Sequence, residues 1–182
     1  MNLGLEIRRS ALAVFASAAL LGGCASAPTP ADYASETPRL DLRSYFNGSL
    51  TAHGIFTDRS GRVVRRFSVK MTGTWNGNQG VLDEDFTYSD GKKERRVWRL
   101  TDLGNGRFSG RADDVVGEAI GQAAGNALNW RYTVALPVDG RVWEVQFDDW
   151  MVLMDERVML NKAVMSKFGI RLGEVTLSFS KP

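Results

Sequence analysis

Residues Arg62–Trp75 read RVVRRFSVKMTGTW. Counted by twos, one face carries Val63, Phe67, Val69, Met71 and Trp75, and the other Arg66, Ser68, Lys70, Thr72 and Thr74. Successive side chains of a strand point to opposite faces, so this alternation predicts a half-buried β-strand, longer than the usual five or six residues. The pattern recurs. Trp130, Tyr132, Val134 and Leu136 share one face, as do Trp143, Val145, Phe147, Asp149, Met151 and Leu153, and then Val175, Leu177 and Phe179. Turn chemistry falls between such segments: DRSG at 58–61, NGNQG at 76–80, SDGK at 89–92, GNG at 104–106, VDG at 138–140, Asp155-Glu156 and Phe168-Gly169. Gly, Asn and Asp suit tight reversals. Long antiparallel strands joined by short hairpins form a meander, and closing the meander removes both unpaired edges. The expected fold is therefore all-β, an antiparallel up-and-down barrel of about eight to ten strands over residues 41–182, with a two-sheet sandwich as the alternative.

One register follows from SDGK. A three-residue loop with a Gly91 bulge sets Leu82 opposite Leu100, Glu84 opposite Trp98 and Phe86 opposite Arg96, whereas a two-residue loop puts Leu82 and Leu100 on opposite faces. The exception to the alternation is DDVVGEAIGQAAGNALN, Asp113–Asn129, where Val116, Ala119, Ile120, Ala123 and Ala127 have helical spacing. Gly117, Gly121 and Gly125 each cost a helix roughly 1 kcal/mol. The segment is expected to be one short helix or lid across a barrel mouth, or a crossover loop.

The N-terminus is an address. Arg8 and Arg9 precede the apolar run Ala11–Leu21, and Leu21-Gly22-Gly23-Cys24 follows. This has the form of a secretory signal peptide over 1–23, too short to span a bilayer. The last four residues resemble the lipobox of bacterial lipoproteins, which implies an acylated Cys24. Ala25 in place of Asp implies sorting to the outer membrane, facing the periplasm, with inner-membrane retention as the alternative. Multiple acyl chains give a stable anchor. Cys24 is the sole cysteine of the 182 residues, so no internal disulfide forms. Ala25–Pro38, ASAPTPADYASETP, reads as a flexible tether, which with Cys24 makes up 24–40.

Cleavage removes Glu6, Arg8 and Arg9 and leaves a nearly balanced chain, which argues against nucleic-acid binding. The single histidine, His53, has no Ser in a G-x-S-x-G elbow to serve. One histidine and one lipidated cysteine make no zinc cluster, and no D-x-D-x-D-G loop offers calcium a site, so neither a metal nor another cofactor is expected. GNGRFSG lacks both the spacing and the βαβ surroundings of a nucleotide loop.

Chemistry concentrates where alternation turns charges inward among rings. Glu84, Asp149, Arg96 and Arg65 fall on faces otherwise occupied by Trp75, Phe86, Trp98, Trp143, Phe147 and Phe67. In VQFDDWMVLMDE, Val145–Glu156, Asp149 points in while Asp148 and Trp150 point out. Such inward charges form a structural ion network, meet the polar head of a ligand, or act as an acid–base pair.

The strings RRFSVKMTGTWNG, LDEDFTYSDG, GRADDVVGEAIGQAAGNALNWRY, FDDWMVLMD and MSKFGIRLGEVTLSF together resemble a Gram-negative lipoprotein family known as domain of unknown function 3833. The resemblance spans Leu42–Phe179 and implies a lipocalin-like, periplasm-facing lipoprotein; it supplies no catalytic residues. The expected activity is binding of a fatty acid, phospholipid or similar amphiphile. Trp75, Trp98, Trp143 and Phe147 would line the cavity beside Glu84 and Phe86, with Arg96 and Asp149 meeting the polar end. The alternatives are a carboxylate enzyme on a lipid or isoprenoid-like substrate, using Glu84 and Asp149, and a non-catalytic envelope scaffold. The scaffold would meet a protein partner through Trp150, Arg65-Arg66, Lys92-Lys93 and Arg95.

Overall fold

The computed structural model describes residues 26–138 and 140–182; the signal peptide and Cys24 lie outside the described residues. Ten strands follow one another: β1 (Gly48–Asp58), β2 (Val63–Asn76), β3 (Gln79–Tyr88), β4 (Lys93–Gly104), β5 (Arg107–Arg111), β6 (Ala119–Ala124), β7 (Ala127–Val138), β8 (Arg141–Leu153), β9 (Val158–Lys167) and β10 (Ile170–Ser180). Each pairs antiparallel with its sequence neighbours, and β1 pairs with β10 to close the barrel. The expected up-and-down barrel is the observed fold. Outward faces carry exposed Lys70, Asp85, Arg99, Arg131 and Lys162. That is the inverse of a membrane-spanning barrel, which turns an apolar band outward.

One end is shut. Asp41 caps α1 (Leu42–Tyr45), its Oδ1 accepting from the backbone N–H of Arg43 at 3.0 Å and Ser44 at 3.2 Å. This single turn lays Leu42 and Phe46 across the barrel, where Phe46 meets Phe179 edge-on at 5.7 Å. Tyr45 Oη donates to the Arg157 carbonyl at 3.0 Å and pins the plug to the β8–β9 turn. Leu50, Met71, Leu128 and Met159 are buried in the same cluster. The other end is open, ringed by the β1–β2, β3–β4, β7–β8 and β9–β10 hairpins and the β5–β6 loop.

Three expectations need correction. Asp113–Asn129 is neither helix nor lid: it forms a loop, then β6, a two-residue turn at Gly125-Asn126, and the start of β7. Its glycines serve packing and turns. A Cβ at Gly121 would lie 2.0 Å from the Trp130 ring, so this strand needs a residue without a side chain to admit the indole. Gly117 and Gly125 have φ of +74° and +55°, conformations of turns and not of a helix.

The β3–β4 hairpin does use a three-residue loop, with Gly91 at φ +83°, and keeps Leu82 and Leu100 on one face. The register is offset by two residues from the expected one, however. Leu82 faces Trp98, Glu84 faces Arg96, and Phe86 faces Glu94. Backbone bonds from Tyr88 to Lys92 and from Gly91 to Tyr88, both 2.9 Å, close the loop over residues 89–91, one residue earlier on both strands than the expected register needs.

The second half of the supposed tether is a strap on the wall. A short 3-10 turn at Pro30–Tyr33 packs on β6 and β7, the Leu40 N–H donates to the Gly125 carbonyl at 2.8 Å, and Tyr33 meets Trp150 at 5.7 Å between ring centroids. Outward-facing Trp150 therefore has its partner within the chain.

Candidate functional site

Above the plug lies a chamber of about 900 Å³, open at the hairpin end. Its size suits a small-molecule site, and its wall is mostly apolar. Ten strands make a ring too wide for its own side chains to fill. Leu82, Leu100, Leu128 and Met71 line the lower part; Phe67, Phe86, Phe147, Met165 and Val175 line the upper part.

A polar belt crosses the chamber between these layers. Glu84 on β3 and Arg96 on β4 sit directly opposite each other. The Arg96 guanidinium donates to Asp114 Oδ2 from the β5–β6 loop. Across the lumen, Asp149 on β8 accepts from Asn161 Nδ2 on β9 and, at 3.2 Å, from Tyr132 Oη on β7. Aromatic rings hold these groups in place. Tyr132 stacks on Phe147 at 5.0 Å and meets Trp98 edge-on at 5.4 Å, and Trp98 meets Trp130 at 6.0 Å.

The belt is charged at a cost. Glu84 is 8% exposed and Asp149 6%. Burial disfavours the anion and pushes the Glu84 carboxyl up to about 7; Arg96 pulls the other way, and Asp114 and Asp149 push further up. Burial likewise raises Asp149 to about 7, against the Asn161 and Tyr132 hydrogen bonds that favour its anion. Burial also opposes the Arg96 charge, but the carboxylates of Asp114 and Glu84 outweigh it. Near neutral pH the belt thus holds two carboxyls within their titration range and one guanidinium that stays charged.

At the mouth, Arg65 lies 3.6 Å over the Tyr88 ring and pairs with Asp90 at 2.7 Å, while Tyr88 Oη donates to Glu94 at 2.7 Å. Lys92 in turn pairs with Glu94. Among the described residues no group of three His, Cys, Asp or Glu is placed to hold a metal ion.

A sequence profile described as a protein of unknown function, DUF3833, matches residues 18–181. The chain belongs to that family. No curated protein matches it. Among solved structures, the DUF3833 barrel is similar to a DUF3598-family protein of unknown function from Nostoc punctiforme, at 10% identity and a TM-score of 0.49. That match covers 81% of this chain and 51% of the other, so the chain spans about half the length of that protein. It is also similar to EF1p2_mFAP2b bound to DFHBI, at 9% identity and TM-score 0.43, covering 76% and 94%. A redesigned β-barrel is similar at 12% identity and TM-score 0.42, covering 81% and 98%.

The DUF3833 barrel brings together six of the eight residues expected at the site: Glu84, Phe86, Arg96, Trp98, Phe147 and Asp149 all line the chamber. Trp75 and Trp143 do not. Trp75 stands near the closed end of β2, where its ring covers Gly80; a Cβ there would approach the indole to 2.7 Å. Trp143 shares the parity of Val145 but lies beyond the mouth, 42% exposed, with Lys167 Nζ 4.8 Å from its ring. Alternation gives a side chain's direction and says nothing of its height, and these two indoles lie beyond opposite ends of the chamber. Tyr132, Trp130, Asn161 and Asp114 were missed. Trp130 and Tyr132 carried an inward signal in the β7 alternation; Asn161 and Asp114 carried none.

Proposed function

We propose that the DUF3833 barrel binds a long-chain amphiphile, its chain among the apolar walls and its polar end at the Glu84–Arg96–Asp149 belt. The observation that carries this reading is the chamber itself: a plugged, open-mouthed cavity of about 900 Å³, apolar on either side of the belt and charged at its rim. Burial of a chain supplies roughly 0.8 kcal/mol per methylene, so a long-chain guest gains enough to offset the cost of ordering it. Fatty acids and phospholipids are the starting members of this class. The Cys24 lipobox supports a barrel held on the periplasmic face of the outer membrane, beside a supply of such molecules.

Native mass spectrometry of the full chain carrying Cys24→Ser tests the binding, since any lipid seen is then not covalently attached. Co-purified amphiphile is expected. If none is found, and added lipids change neither Trp fluorescence nor melting temperature, the reading fails. The anchor is tested separately: wild-type protein partitions with membranes, and Cys24→Ser releases it.

One observation favours a second reading. Glu84 and Asp149 both titrate near 7, the range suited to a general acid and base acting on a lipid or isoprenoid-like substrate. That reading requires Asp149→Asn to abolish turnover of such a substrate while the barrel stays folded.

A further inference from the structure

The charges of the chamber are not satisfied evenly. Two guanidiniums face into it, and each is committed to an aspartate: Arg96 to Asp114 and Arg65 to Asp90, while Arg95, on the outer face, pairs with Asp83 at 2.6 Å. Asp149 is held by Asn161 and Tyr132. Glu84 is different. It is 8% exposed, lines the chamber, and makes no hydrogen bond or ion pair with any described residue. Asp114 Oδ1, on the other flank of Arg96, is buried without a donor. One donor is unmet as well, Arg65 Nε, but it belongs to the mouth and is tied there through Asp90.

A buried acceptor without a donor costs on the order of 1–3 kcal/mol, more when it is charged. Asp114 Oδ1 is such an acceptor, and Glu84, whose oxygens open into the chamber, has no donor on the wall; both can take a donor from a guest, and the excess of carboxylates over guanidiniums in the belt favours a positive one. We infer that the belt recognises a protonated amine, so that the guest is an amine-headed amphiphile and not the anion of a fatty acid. The inference rests on the amphiphile reading above and narrows the head group. A carboxylate or phosphate head would enter beside Glu84 and find the one guanidinium at that level already paired. An ammonium group gains Glu84 and the free oxygen of Asp114.

The charged groups that act on Glu84 are Arg96 from β4, Asp114 from the β5–β6 loop and Asp149 from β8, which face it, and Asp83 on the outer face of its own strand, while its β2 neighbour Met71 is apolar. Burial, and then the three acidic members of this set working against Arg96, make the carboxyl ionise late. Amine binding strengthens as pH rises from 6 to 8 and Glu84 loses its proton; binding of an anionic chain weakens over the same interval.

The test uses the full chain with Cys24→Ser and three probes of one chain length: dodecylamine, dodecanol and laurate, titrated by Trp fluorescence at pH 7.5. Dodecylamine is expected to bind about tenfold more tightly than laurate, the scale of one charge-assisted hydrogen bond. Glu84→Gln should weaken the amine about tenfold and change dodecanol by less than about twofold. Asp114→Asn gives the same comparison should Glu84→Gln misfold by near-UV circular dichroism. Laurate binding as tightly as the amine, or dodecanol binding without any preference for the amine, overturns the head-group inference and leaves the amphiphile reading intact. Amine affinity unchanged in a folded variant does the same. Failure of all three probes overturns both.

Discussion

Asn161 donates its side-chain amide to Oδ1 of Asp149 on the neighbouring strand, and the same nitrogen lies 3.2 Å from the Trp150 carbonyl. The bond favours the Asp149 anion against burial. Asn161→Ala removes it and leaves Asp149 with Tyr132 alone. The Asp149 titration should move further above 7, and stability at pH 8 should fall by about 1–3 kcal/mol. At pH 5, with Asp149 protonated, the loss should be smaller. Urea denaturation at both pH values measures it; equal losses would mean that the amide does not serve the charged form.

The belt also makes stability depend on pH. Glu84 and Asp149 have folded pKa values near 7, above their ordinary 4.5 and 3.8. The folded state therefore holds protons that the unfolded chain has already released, and stability declines with rising pH across that interval. What these groups contribute is fully present below about 4 and lost as pH climbs through 7. The melting temperature should drop by on the order of 5 °C from pH 5.5 to pH 8. Glu84→Gln with Asp149→Asn should flatten that slope. Exposed Asp58, Asp83 and Asp90, whose pKa values are lowered by hydrogen bonds and Arg partners, act in the opposite direction but at more acid pH.

Trp130 lies across Gly121, and room for the indole comes from the missing side chain. Gly121→Val forces the ring or the strand to move, at a cost of about 1–3 kcal/mol. Because Trp130 touches Trp98 on the plug side of the belt, the variant should also shift the fluorescence maximum and weaken amphiphile binding. A wild-type spectrum would show that the strand accommodates the side chain in some other way.

The strap makes a separable prediction. A Cβ at Gly125 would fall 1.7 Å from the Tyr33 carbonyl oxygen, and φ there is already +55°. Gly125→Ala should lift residues 30–40 from β6 and β7 without opening the barrel. Limited proteolysis should then cut within that segment, and Trp150, losing Tyr33, should emit at longer wavelength. Cleavage elsewhere at the same rate would mean that the strap stabilises the barrel as a whole.

Much of this architecture is legible along the chain because strands and hairpin turns are local. Alternation in β2, β7, β8 and β10 reports which side chains face a common interior, and every turn read from Gly, Asn or Asp lies at a hairpin. The segment with β6 is misleading because its small residues answer to Trp130, a neighbour in space that lies outside the β6 pattern. Half of the β3–β4 prediction holds for the same reason: the turn is local, whereas the register depends on where the ladder closes. At the site, Glu84, Arg96 and Asp149 announce themselves as charges on an apolar face. Asn161 and Asp114 do not, since each matters only through the residue it meets from another strand or loop.

The chain alone thus determines an antiparallel meander with rings and a few charges turned inward. Tertiary structure decides the depth of each inward residue, which indoles line the chamber, and which carboxylates find partners. Those depend on strand stagger around the barrel and on contacts across it, and neither is written in any single strand. Glu84 is the case in point: its inward direction is local, but its want of a donor is a property of the whole ring.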